Sequence, residues 1–184
     1  MSRQFFFFDQ PRRFVVGTVG EPGDRVFFLQ VSDNGRVVSV ALEKTQVSVL
    51  AERMEQLLSD VASRAGEVLA SDVAPDTSPL ENPIDEEFRV AAMALAYDAD
   101  SNLVVIEAQA ASEDSEVAEA TLLEDVEDGP DALRVRLAQQ AALEFIARAR
   151  RVVAAGRPPC PLCNQPLDPS GHVCPRHNGY RRQI

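Results

Sequence analysis

RVFFLQVSDNGRVVSVALEKTQVSVLAERMEQLL, residues 25–58, contains the change of period that decides the fold. Arg25–Val31 is rich in β-forming side chains and stops at Ser-Asp-Asn34-Gly35. Both central positions of that turn tolerate positive φ, the mark of a type I′ hairpin, and Arg36–Leu42 is the return strand. From Thr45 the apolar residues Val47, Leu50, Met54, Leu57, Leu58 and Val61 recur at three- and four-residue steps. That spacing predicts an amphipathic helix over about 45–65, with Thr45 available as a cap and Gly66 ending it. Upstream, Phe5–Phe8 and Phe14–Val19 read as two more short strands, separated by Gln10-Pro11.

The order then recurs. Phe88–Tyr97, Leu103–Ala110 and Leu133–Leu137 read as strands. The stripe Ala142, Phe145, Ile146, Ala149, Val152 and Val153 predicts a helix over about 138–155. Phe14 falls on Phe88, Val26–Leu29 on Leu103–Ile106, and Val40–Leu42 on Val135–Leu137, which points to an internal duplication. The expected fold is α+β, with two pseudo-twofold-related units of β-sheet plus helix and a C-terminal zinc-knuckle tail. Residues 1–70 form the first unit, 71–87 an acidic Pro-containing linker, 88–155 the second unit, and 156–184 the zinc-binding tail. The strand-then-helix order resembles the Pur-repeat and PC4-like single-stranded nucleic-acid binders. For such a role Arg12, Arg13, Arg25, Phe27 and Arg36 are the candidate cations and stacking surface.

The chain has 184 residues, 45% hydrophobic and 26% charged, enough for a normal core. Its net charge of −11 argues against a protein that coats duplex DNA or an anionic membrane with its whole surface. The charge is unevenly placed. From Arg148 on, seven arginines face one acid, Asp168, so this end carries +6 and the first 147 residues −17. Residues 72–87 and 111–131 concentrate the acid and read as solvated linker and loop, the second an insertion in one hairpin. No apolar stretch reaches the roughly 18–20 residues of a membrane helix, and Phe5–Phe8 is too short for a secretory signal. A cytoplasmic protein is expected.

All three cysteines fall in CPLCNQPLDPSGHVCPRH, residues 160–177, as C-x2-C, a ten-residue spacer and C-x2-H. Each two-residue knuckle turns its ligands to one side, so Cys160, Cys163, Cys174 and His177 can fill a tetrahedral Zn²⁺ shell. His172, only two residues before Cys174, is the rival fourth ligand. A disulfide framework would leave one cysteine over, a redox pair needs a strand-to-helix junction, and an iron–sulfur cluster generally wants four cysteines. A tail so poor in apolar residues needs the metal in place of a core.

Four protein ligands leave no open position for a catalytic water. The body has no histidine and no G-x-S-x-G, Walker or G-x-G-x-x-G motif. A non-enzymatic protein-interaction or adaptor module is therefore expected, its acidic loops and basic tail offering docking surfaces of opposite charge. A single-stranded nucleic-acid binder is the alternative.

Taken together, FFFFDQPRRFVVGTVGEPGDRVFFLQ, VSVALEKTQVSVLAERMEQLL, EEFRVAAMALAYD and the tail CPLC…CPRHNG resemble an actinobacterial family of conserved hypothetical proteins of about this length. The resemblance spans essentially the whole chain and carries over the four tail ligands. It implies gene neighbours that are histidine-phosphatase-like and kinase-fold-like. Those neighbours suggest a shared complex, or an accessory role in a phosphate-ester metabolic system.

Overall fold

The computed structural model describes residues 3–21, 23–70, 73–112, 122–124, 129–156, 160, 162–163 and 174. Among these residues, seven strands and two helices follow one another as β1 (Phe5–Asp9), β2 (Arg13–Val19), β3 (Val26–Asp33), β4 (Arg36–Leu42), α1 (Lys44–Ala65), β5 (Glu86–Asp98), β6 (Leu103–Ala110), β7 (Ala132–Ala138) and α2 (Gln139–Ala154). The fold is mixed α+β. All strands belong to one sheet in the order β1-β7-β6-β5-β4-β3-β2.

The hairpin at Asn34–Gly35 has the expected positive φ values, 48° and 79°. Gly66 ends α1 in the left-handed region, with Gly66 and Glu67 donating backbone N–H groups to Ser63 and Ala62. At the other end the cap is Glu43 rather than Thr45. The Gln46 side chain accepts the Glu43 N–H at 2.8 Å, half of the capping-box exchange. Thr45 comes too late, because the helix has already begun.

Each half is an antiparallel three-stranded meander followed by a helix, and no twofold axis stands normal to the sheet between them. β4 and β5 meet in the middle of the sheet and run parallel. A twofold normal to the sheet would make them antiparallel. Instead β2, β3 and β4 recur as β5, β6 and β7 in the same order and with the same directions, displaced along one sheet. Parallel neighbours require a long crossover, and residues 43–85 supply one. Phe5–Phe8 does not join the first meander either. β1 pairs in parallel with β7 at the far edge, Phe6 opposite Leu133 and Phe8 opposite Val135.

The two edge strands, β1 and β2, are nevertheless joined by only residues 10–12. The sheet must curl for its edges to approach. Arg36 at the start of β4 lies over the rings of Phe6 and Phe8 in β1, at 5.3 and 5.2 Å. In a flat sheet those strands would stand about 19 Å apart. The helices fill the concave side and pack on each other, and α2 reaches both β2 and β7. Val47, Leu50, Met54 and Leu58 of α1 and Ala142, Phe145, Ile146 and Ala149 of α2 join the inward residues of all seven strands in one core. Phe14 and Phe145 meet at 4.8 Å between ring centroids. Among the described residues no helix is long and apolar enough to cross a membrane.

The segment expected to be a solvated linker is a packed strap. Its acids pair with Arg12 and Arg13, and its backbone satisfies the buried Gln30 amide on the convex face. Leu80 is seated on Gly17, and Gln30 exchanges two hydrogen bonds with the backbone of Glu81, donating to its O at 2.9 Å and accepting from its N–H at 2.8 Å. Ser32 donates to the Glu81 carboxylate at 2.8 Å. At the β2 edge Arg148 of α2 holds strap and sheet together. It donates to the Val16 carbonyl at 2.6 Å and to the carbonyls of Asp76 and Ser78 at 2.7 Å each.

Candidate metal centre

Beyond α2 the chain brings Cys160, Cys163 and Cys174 together. Their sulfurs all lie within 4.8 Å of one another, and those of Cys160 and Cys174 are 3.8 Å apart. A tetrahedral ion with bonds of about 2.3 Å to sulfur requires sulfurs about 3.8 Å apart, so the spacing fits a shared metal. Cys160 and Cys174 are buried and all three thiols are free of disulfides.

The turn after Cys160 does the local work. Backbone N–H groups of Cys163 and Leu162 point back at the Cys160 sulfur and hold its thiol well below the ordinary range, at about 6; hydrogen bonds with Cys163 and Cys174 add to this. A thiolate near neutral pH is what a metal ligand must be. These N–H donors, a consequence of the two-residue knuckle, explain why C-x2-C is the usable spacing. His177 and its rival His172 lie outside the described residues, as does most of the acidic 111–131 segment.

The residues expected on an exposed nucleic-acid face are otherwise engaged. Phe27 is in the core. Arg12 donates to both Glu81 carboxylate oxygens at 2.8 Å, and Arg13 donates to Asp76 at 2.6 Å. Arg36 stacks on β1, and Arg25 donates to the Ala155 carbonyl at 2.7 Å. The sequence reading also missed a second polar cluster, on the convex face of the second half. Glu107 and Gln109, both fully buried, are bonded to each other, and Arg134 donates to Glu107 at 2.6 Å. Alternation along β6 places these side chains outward; nothing local shows that residues 122–124 lie over them. That they do is visible at Leu123, whose N–H points at Glu107, and at Glu124, whose carbonyl accepts from Arg134.

A model of a protein family described as "Protein of unknown function (DUF3090)" matches residues 6–174. The chain belongs to that family. The match takes in both meanders, both helices and all three cysteines, and stops at Cys174, short of His177. No curated protein and no solved structure matches the chain.

Proposed function

We propose that this DUF3090 protein is a zinc-stabilised, non-enzymatic interaction module of the cytoplasm that docks another protein through its knuckle and acidic surface. Zinc is the ion that suits three thiolates, and the C-x2-H spacing makes His177 the fourth ligand. Four protein ligands would close the shell, giving the ion a structural task. The observation that carries the interaction reading is Leu162. It stands between two of the clustered cysteines in sequence and is 49% exposed, an apolar tip beside the thiols. The engaged state of Arg12, Arg13 and Phe27 counts against the alternative, a single-strand binder, which needs free cations and rings on a sheet face.

The test combines metal analysis with affinity capture from native cells. Protein purified without chelator should carry one zinc per chain, and Cys163→Ser should lose it. Leu162→Ala should keep the zinc but lose the captured protein, and nuclease should change nothing. Absence of zinc would refute the metal assignment. Micromolar binding of a single-stranded oligonucleotide at about 150 mM salt, abolished by replacing Arg176, Arg181 and Arg182 with alanine, would install the nucleic-acid reading instead.

A further inference from the structure

A cavity of about 460 Å³ opens between the strap, the β2–β3 end and the last turn of α2. Its size lies in the range of small-molecule sites. Three arginines, Arg25, Arg148 and Arg151, and one acid, Asp76, line it, so its walls carry a net charge of +2. That sign is opposite to the −17 of the first 147 residues.

The three arginines are not equivalent. Arg148 is committed to the strap and to Val16, as described above. Asp76 is likewise taken, held between Arg13 at 2.6 Å and Arg148 at 3.2 Å. Arg25 spends one bond on the Ala155 carbonyl. That bond also quenches one of the carbonyls at the C-terminus of α2, whose partial negative charge would otherwise oppose an anion. Neither Arg25 nor Arg151 has a carboxylate partner among the described residues. The wall adds the hydroxyls of Thr18, Thr77 and Ser78, none of them bonded to a protein group among the described residues. Two guanidinium groups with donors to spare, three hydroxyls and a +2 wall match a tetrahedral dianion better than a single carboxylate.

We propose that this cavity binds the phosphate group of a small phosphate monoester, gripped by Arg25 and Arg151 with Arg148 as a fixed positive wall. A phosphate monoester carries close to two negative charges at neutral pH and becomes a monoanion below its second pKa of about 6. A sulfate monoester remains a monoanion throughout. The site therefore selects phosphate over sulfate at pH 7.5, and the selection fades at pH 5.

The test uses the full chain, titrated with inorganic phosphate, phenyl phosphate and phenyl sulfate, and followed by the ¹⁵N-resolved Nε–H signals of the arginines. Inorganic phosphate should bind with a dissociation constant on the order of 1 mM at low salt and weaken as salt is added. Phenyl phosphate should outbind phenyl sulfate at pH 7.5. The Arg25→Gln/Arg151→Gln pair should weaken phosphate by about tenfold or more in a chain that stays folded, and Arg151→Gln alone, at an exposed position, should weaken it with thermal unfolding unchanged. Arg150→Gln, adjacent in sequence but paired with Glu55, should bind as the parent does. No signal change up to about 20 mM phosphate, equal binding of the sulfate ester, or an unchanged affinity in the double variant would each overturn the proposal.

Discussion

A methyl group on Gly17 would stand 2.6 Å from Cγ of Leu80, well inside van der Waals contact. Gly17→Ala should therefore lift the strap or distort β2 and cost about 1–3 kcal/mol in urea unfolding. Leu80→Ala vacates the same space, so the double variant should lose less than the sum of the two single losses. Additive losses would mean that the two residues are not in contact. Glu107 occupies in β6 the place that Gln30 occupies in β3, facing outward yet buried. Removing its charge as Glu107→Leu takes the buried 2.6 Å carboxylate contact from Arg134 and should cost about 3 kcal/mol; Arg134→Leu in the same chain should restore much of it. A double variant no more stable than Glu107→Leu would refute that pairing. The cysteines were legible at this scale because a metal demands a spacing that survives in sequence. Glu107 and Gly17 were not, since each owes its role to a partner remote in the chain.

Strands, turns and helices were legible because period and turn chemistry are local, down to the Asn34–Gly35 hairpin and the Gly66 cap. The strap was not. Its prolines and acids have the composition of solvated chain, and only the arginines of β2 and α2 turn those acids into packing. That dependence makes the strap sensitive to acid. The hydrogen bond from Arg13, aided by the Ser78 N–H and the charges of Arg13 and Arg148, holds the Asp76 carboxyl below its ordinary range, against the opposing effect of burial. A carboxyl depressed in the folded state stabilises fully above its unfolded value of about 3.9 and loses that contribution as pH falls towards and through the folded value. Urea midpoints measured from pH 6 down to 3 should fall less steeply in Asp76→Asn than in the parent. Equal slopes would show that this carboxylate does not couple to folding.

At the scale of the molecule, the repetition of meander and helix was visible in sequence but its geometry was not. A pair related by a twofold normal to the sheet and a pair displaced along the sheet have the same element order. What separates them is whether β4 and β5 run parallel, and the long connection between them permits either. The strand pairing settles it, and with it the role of β1. Beside β7, the first strand takes the place that β5 takes beside β4, as if it were the opening strand of a third unit. Without residues 1–9, β7 would present an open, apolar edge. A chain beginning at Gln10 should self-associate in light scattering where the full chain does not, and a monodisperse truncated chain would show that β7 needs no cover.

This arrangement sets a schedule for synthesis. The pairing partner of the Phe5–Phe8 run, from Ala132 on, is made more than 120 residues after it, as the 127-residue separation of the Gln4–Asp131 hydrogen bond illustrates. Until then four consecutive phenylalanines have no sheet to join, in a nascent chain whose first meander and helix are already complete. The seam closes last, at a cost in folding speed that non-local strand pairing always carries, and the newborn protein depends on that delay passing without a competing partner.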